Sequence, residues 1–299
     1  MKATMEKNKE KDFFSPTERA QVLIEALPYI QDFTGSTVLI KIGGSTLVDR
    51  DLFHHFAEDM VLLHSVGIKP VVVHGGGPQI GERLAAIGKE STFIAGLRVT
   101  DKETLTIVKK VLREEVGKGI VTAIVDLGGK AVSISGEENN LILAEQRNEK
   151  LGYVGDVKEI STPVIDQIIS DGCIPVISTI GKDENGQGLN INADTAAGAL
   201  GGALQAEKVI YLSDVPGLLL DKDDPQSLIS EISNQEILAM IETGGISDGM
   251  IPKVTSCIEA LKLGAQRAHL LDGRIHHAVL LELFTDSGIG TMIIGGGTE

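Results

Sequence analysis

From Thr37 onward the chain repeats one unit: a short run of β-branched and aliphatic residues, a glycine turn, then a stretch with apolar positions at three- and four-residue spacing. VLIKI (38–42) leads into a predicted helix over about 50–65, and PVVVH (70–74) into another over about 78–87. AVSIS (131–135), IPVIS (174–178), KVIYLS (208–213), RAHLL (267–271) and TMII (291–294) continue as strands. Runs this apolar on both faces belong to a parallel sheet covered above and below by helices. The expected fold class is therefore α/β, a three-layer αβα sandwich around a mainly parallel sheet. Segments of about 92–99 and 141–159 break the rhythm and read as hairpins projecting from the sheet's end.

Ahead of this pattern, Met1–Asp12 is charged and poor in apolar residues, which predicts disorder. Ser15-Pro16-Thr17-Glu18 then combines an N-cap serine, a proline at the first helical position and a glutamate at the third. Ala20, Leu23, Leu27 and Ile30 fall on one stripe of the helix so started, and Pro28 is expected to kink or end it. The stripe packs either on its own domain or on another subunit, and the pattern does not choose. The polar, glycine-rich GKDENGQG (181–188) is the candidate hinge between two lobes. The expected organisation is thus an N-terminal segment 1–34, an N-lobe 35–185 and a C-lobe 186–299.

Composition sharpens the picture at three points. A net charge of −15 repels phosphate backbones and anionic membranes, so nucleic acid and membrane are not expected partners, and an anionic ligand needs a locally basic pocket. The 35 glycines sit at the ends of apolar runs rather than in repeats, as strand-to-helix turns require. The two cysteines, Cys173 and Cys257, lack CxxC spacing, which excludes a disulfide framework or a cysteine zinc site and predicts buried thiols in a reducing compartment. No stretch reaches about 18 uninterrupted apolar residues, and the start has no apolar core of a leader, so a cytoplasmic protein is expected.

Candidate chemistry gathers at glycine turns. Gly43-Gly44 follows the first strand, Gly75-Gly76-Gly77 the second, and a third turn runs from Gly244-Gly245 to Gly249. Such turns let backbone N–H groups approach an anion, although a plain tight turn explains any one of them. The chain contains neither GxxxxGK[ST] nor GxGxxG, which disfavours those two nucleotide cradles. Lys41 lies inside an apolar strand, where its charge is costly unless it points from the strand's end towards an anion. Lys253 follows Pro252 in another glycine-rich turn, and for either lysine taken alone a snorkelling surface side chain is the favoured reading. In NINADTAA (190–197), Asp194 can cap the small-residue helix that follows or serve a site beside it.

In this order KIGG, VVVHGGGPQI, GLRVTD, NINADTAA, YLSDVPGLL and DGMIPKV resemble the amino acid kinase family over nearly the whole chain from Thr37. GLRVTD followed by NINADTAA is similar to the branch that acts on N-acetyl-L-glutamate. The chain departs from the pattern in KIGGSTL, in REEVGKG (113–119), which lacks an expected asparagine, and in His276-His277, where proline is usual.

The resemblance implies phosphoryl transfer from ATP, with Mg²⁺ bound to the nucleotide, onto the side-chain carboxylate of N-acetyl-L-glutamate. It implies catalytic roles for Lys41, Lys253 and Asp194, with Asp194 orienting both lysines. It places Gly76, Gly77, Arg98 and Asn190 on the amino-acid substrate in the N-lobe, where the bland alternative for Arg98 is an ion pair with Asp101. It places ATP in the C-lobe against Asp214, Gly245, Ile246 and Ser247, with Gly43 and Gly44 of the N-lobe binding its transferring phosphoryl group. His269, Glu282, Gly288 and Gly290 are implied to bind L-arginine as an inhibitor, and the N-terminal helix to interlace dimers into a hexamer. A signalling protein of the PII type is a further partner the resemblance brings in. Two rivals stand beside this reading: a kinase of another carboxylate such as aspartate or glutamate, and a catalytically silent sensor of the same fold.

Overall fold

The computed structural model describes residues 15–221, 223–246, 249–286 and 288–296. Its first part runs α1 (Pro16–Phe33), β1 (Thr37–Ile42), α2 (Arg50–Ser65), β2 (Lys69–His74), α3 (Gly77–Ala86), β3 (Phe93–Ile94), β4 (Leu97–Arg98) and α4 (Lys102–Lys110). A π-helical stretch, Val111–Gly117, carries α4 into α5 (Lys118–Asp126). There follow β5 (Ala131–Ser135), β6 (Ile142–Gln146), β7 (Val154–Ile160), α6 (Pro163–Ser170), β8 (Ile174–Ser178), β9 (Ile180–Lys182) and β10 (Gly188–Ile191). The remainder comprises α7 (Ala193–Ala203), β11 (Lys208–Ser213), β12 (Glu231–Ser233), α8 (Asn234–Glu242), α9 (Ile251–Lys262), β13 (Arg267–Asp272), α10 (Ala278–Leu283) and β14 (Thr291–Ile294).

Among the described residues, eight strands form one sheet in the order β12-β14-β13-β11-β1-β2-β8-β5. All neighbours pair in parallel except β13 and β14. The period-2 geometry of strands sorts the core into two layers. Leu39, Val71, Val73 and Ile177 face α6, α7 and α9, while Val38, Ile40, Ile42 and Val72 face α2, α3, α5 and α10. The central β1 lies between β2 and β11, so the sheet is built to one side by the first half of the chain and to the other side by the second. Ligands of open α/β sheets bind outside the strand ends at such a reversal.

Three expectations change. The helix of the N-terminal segment continues past Pro28 to Phe33. Proline deletes one backbone donor there and its ring crowds the Ile24 carbonyl, and because no residue of α1 is buried the helix is free to bend away from that contact and leave the carbonyl to water. The segment 181–188 is not a plain connection: β9 and β10 pair antiparallel around it and close a small barrel with β6 and β7. Cys257 is buried as expected, but Cys173 is only partly so. The Met1–Asp12 expectation lies outside the described residues.

The small residues of α7 have a packing reason. A Cβ on Gly198 would stand 2.8 Å from the Ser256 carbonyl oxygen, and one on Gly202 would overlap Leu263 Cβ. These glycines, one turn apart, let α9 lie directly on α7, and the Tyr211 hydroxyl crosses the same contact to donate to the Ser256 carbonyl at 3.1 Å. Gly202→Ala is therefore expected to destabilise the fold by about 1–3 kcal/mol through overpacking. A urea titration checks this: the midpoint should fall with the slope unchanged.

Candidate active site

The site begins with a charge in the wrong place for a strand. Lys41, one residue from the end of β1, keeps its stem among aliphatic neighbours and sets its ammonium 2.8 Å from Asp194 Oδ1. Asp194 is the second residue of α7, but it does not cap that helix. Asn192 does: its side-chain oxygen accepts from the Asp194 N–H at 2.9 Å and the Thr195 N–H at 3.1 Å. With the cap supplied from two residues earlier, the Asp194 carboxylate is left for cations. On its other side Lys253 Nζ, in the first turn of α9, stands 3.9 Å from Oδ2, the outer limit of an ion pair. Burial works to raise the pKa of Asp194, but attraction to Lys41 and Lys253 outweighs it and holds the carboxyl below its ordinary value.

Gly43 and Gly44 turn the chain away from β1. Gly44 has φ of +56°, and a Cβ there would stand 2.7 Å from Asp214 Oδ2, so conformation and space both demand glycine. Asp214, just beyond β11, accepts from the Ser45 N–H at 3.2 Å and the Ser45 hydroxyl at 2.5 Å. Its carboxylate thereby ties the glycine turn to the second half of the sheet, and the Ser45 hydroxyl is the largest cause lowering its pKa.

Two cavities meet at Asp194. One is lined by Lys41, Gly43, Gly44, Gly76, Gly77, Arg98 and Asn190, the other by Thr195, Lys253 and residues of α9, and Asn192 and Asp194 line both. Arg98, in the β3–β4 hairpin, is not paired with Asp101, which Lys89 takes at 2.6 Å. Its guanidinium donates to the Gly77 carbonyl at 3.0 Å and to the Ser91 hydroxyl, and lies 4.8 Å over the Phe93 ring. Held flat by that ring, it presents a planar fork to the cavity. The Asn190 amide donates to Thr100 Oγ1 at 3.2 Å and so links β10 to the strand-end loop after Arg98.

The remaining candidates divide. Gly245 donates its N–H to the Met240 carbonyl at 2.8 Å and the Ile246 side chain is buried in the core, so both offer a ligand only backbone, and neither lines the two cavities. Ser247 lies outside the described residues. His269, Glu282, Gly288 and Gly290 do come together, away from both cavities. His269 Nδ1 is 2.7 Å from Glu282 Oε1, and the Ile289 N–H donates to Oε2 at 3.0 Å. Gly288 has φ of +58°, and a Cβ there would stand 2.7 Å from the same carboxylate. Burial favours the neutral His269 ring, whereas Glu282, despite its burial, is held below its ordinary pKa by His269, the Ile289 N–H and Lys208.

Asn192, Ser45, Ser91 and Phe93 carry this geometry and were not among the residues the sequence singled out. Asn192 alone had a usable signal, as an asparagine two residues before an acidic helix start.

The profile of the amino acid kinase family matches residues 36–272. An acetylglutamate kinase of Moorella thermoacetica is 47% identical over 293 residues, covering 94% of this chain and 99% of that protein. One from Nitrosococcus oceani is 50% identical over 289 residues, covering 92% and 95%. Among solved structures, the N-acetylglutamate synthase of Neisseria gonorrhoeae with coenzyme A and N-acetyl-glutamate superposes with a TM-score of 0.81 at 27% identity over 93% of this chain, and spans 64% of its own length in doing so. The same synthase with coenzyme A and L-arginine gives 0.76 at 25% identity, over 92% and 65%.

If Asn192 aims Asp194 by capping α7, Asn192→Ala should cost about 0.5–2 kcal/mol of stability. Thermal unfolding should show the lower Tm, and Asn192→Asp or Asn192→Ser should restore it, since each supplies a capping oxygen.

Proposed function

This chain belongs to the amino acid kinase family, is a phosphotransferase with a carboxyl group as acceptor, and from that premise we propose that it moves the terminal phosphoryl group of ATP onto the side-chain carboxylate of N-acetyl-L-glutamate. One observation carries the reading: Lys41 and Lys253 approach a single buried carboxylate from two cavities that meet there. The acceptor carboxylate, with an ordinary pKa of about 4.3, is ionised at neutral pH and needs no general base. What remains is to bring two anionic groups together. Two ammoniums against one aspartate leave net positive charge at the junction, where the transferring group would pass.

In this reading Arg98 grips the α-carboxylate of the acceptor with its planar fork and Asn190 meets the amide, both in the Lys41 cavity. The nucleotide occupies the Lys253 cavity, and Gly43, Gly44 and Gly76 donate backbone N–H groups to phosphate oxygens. Asp194 is engaged by lysines and Asp214 by Ser45, so neither is free as a metal ligand. That donor set suits Mg²⁺ carried on the phosphates of ATP, where it would neutralise charge. A kinase of aspartate or glutamate would share the lysines, and phosphate transfer to those acids compared with N-acetyl-L-glutamate separates the readings.

Regulation by L-arginine belongs to the same proposal, with the cluster of His269, Glu282, Gly288 and Gly290 as its site and a hexamer as the assembly. Two observations support it. Leu23 and Ile24 on α1 are 70% and 62% exposed, an apolar face with nothing of its own domain on it. The far end of α1 touches the cluster's surroundings, through Tyr29 donating to Asp286 and Phe33 lying 5.2 Å from Lys208 Nζ. An effector at Glu282 would thus act beside the root of the assembling helix.

Lys41→Ala and Lys253→Ala are each expected to lower kcat about a hundredfold or more, with an unchanged circular dichroism spectrum. Acetylglutamate-dependent ADP release is the assay, and near-normal turnover in either variant removes the assigned roles.

For the regulatory part, deleting residues 1–32 should convert a hexamer into an active dimer with a weaker response to arginine. Sedimentation of the full chain as a dimer, or full activity at millimolar arginine, would refute that part and leave the kinase standing.

A further inference from the structure

Of the seven histidines in the chain, four converge on one surface remote from the two cavities. His54 and His55 lie on α2, and His276 and His277 immediately precede α10. The His55 ring is 4.4 Å from the rings of both His276 and His277. Glu58, one helical turn after His55, places Oε2 3.0 Å from His55 Nδ1 and 3.9 Å from His277 Nε2. One donor atom from each of His55, Glu58 and His277 fits within a span of 4.8 Å. Ligand atoms of a tetrahedral ion with bonds of about 2.0–2.1 Å stand a little over 3 Å apart, so small side-chain rotations would close the set.

The other nitrogen of His277 supplies the second observation. Its Nδ1 lies 2.6 Å from Oδ1 of Asp59, a carboxylate whose residue is only 1% exposed. That contact fixes the tautomer and leaves Nε2 facing Glu58 with its lone pair. A carboxylate behind a histidine is the usual outer support of a metal-binding imidazole. The backbone agrees: His277 has φ of +56°, left-handed and costly for a side chain of this size, and the turn holds the ring against α2. Two neutral imidazoles, one carboxylate ligand and one outer carboxylate also balance the charge of a divalent ion. Nitrogen donors select zinc, cobalt, nickel or copper over magnesium and calcium.

We propose that His55, Glu58 and His277 form a binding site for a divalent transition-metal ion, with Asp59 orienting His277 from behind. The three side chains leave a fourth position for water or for His276. The ion plays no part in phosphoryl transfer. It cross-links α2 to the connection between β13 and α10, the element that carries Glu282.

Untagged, chelator-treated protein titrated with Co²⁺ tests this through the visible absorption of the bound ion. The expected result is saturation at one ion per chain, displacement by Zn²⁺ but not by Mg²⁺, and a raised Tm in the loaded form. His55→Ala, at a partly exposed position, and His277→Asn, whose amide can still donate to Asp59 and suits the left-handed backbone, are expected to weaken binding about tenfold or more, and Asp59→Asn about 10–100-fold. His64→Ala, at the far end of α2, should leave the band and the affinity unchanged, whereas His54, 3.5 Å from Glu58 Oε1, is close enough to shift the affinity. A band that persists in the His55→Ala/His277→Asn double variant, equal losses in His64→Ala, or no saturable band at all would overturn the site and reduce the cluster to ordinary surface histidines.

Discussion

A lysine near the end of the central strand is tolerable only if its charge is met, and Asp194 meets Lys41 at 2.8 Å. Much of the site's construction follows from that one ion pair. It requires α7 to start beside the end of β1, Asn192 to take over the cap, and α9 to lie close enough for Lys253 to share the carboxylate. Closeness in turn needs Gly198 and Gly202, where any side chain would strike α9. A buried pair of this kind adds little net stability, because desolvation offsets attraction. Its worth lies in geometry: one carboxylate holds two cations in position, and under the proposed reading no reorganisation is then needed when charge develops on a phosphoryl group.

Where the chain's local pattern and its tertiary role coincide, the sequence was readable. Strands 131–135, 174–178, 208–213 and 291–294 begin and end where alternation and glycine turns place them. Of these, 174–178 and 208–213 are buried at every position, so nothing outside the segment competes with their own signal, whereas 131–135 keeps Val132 exposed at the sheet's edge. Lys41 was legible for the same reason, since a charge inside VLIKI has few explanations.

The parts that escaped depend on distant partners. The segment 181–188 is polar because it turns between β9 and β10, and only the presence of β6 and β7 makes those strands worth pairing. Arg98 seemed free to pair with Asp101, three residues on, until Lys89 claimed that carboxylate and Phe93 offered its ring. Of the two outcomes expected at Pro28, a kink or an end, the helix does not end there, because with no residue of α1 buried it can bend around the ring and leave the Ile24 carbonyl to water. Asn192 and Ser45 are small polar residues in turns, chemically unremarkable until Asp194 and Asp214 are set beside them.

One strand ties the separate clusters together. At its middle, β13 carries His269, which contacts Glu282. At its carboxyl end the Gly273 carbonyl accepts from Thr46 in the turn after Gly44, at 3.0 Å and buried, and four residues later His277 leans on α2. Because Thr46 and Ser45 belong to the same turn, a shift of β13 along its axis would press on the turn after Gly44 directly, without passing through the rest of the sheet. Packed interiors transmit such shifts rather than absorbing them. If L-arginine binds beside Glu282 as proposed, coupling to the Gly44 turn needs only that it bind one position of β13 more tightly than another, since the free energy available to the turn is the difference between those two affinities and no more.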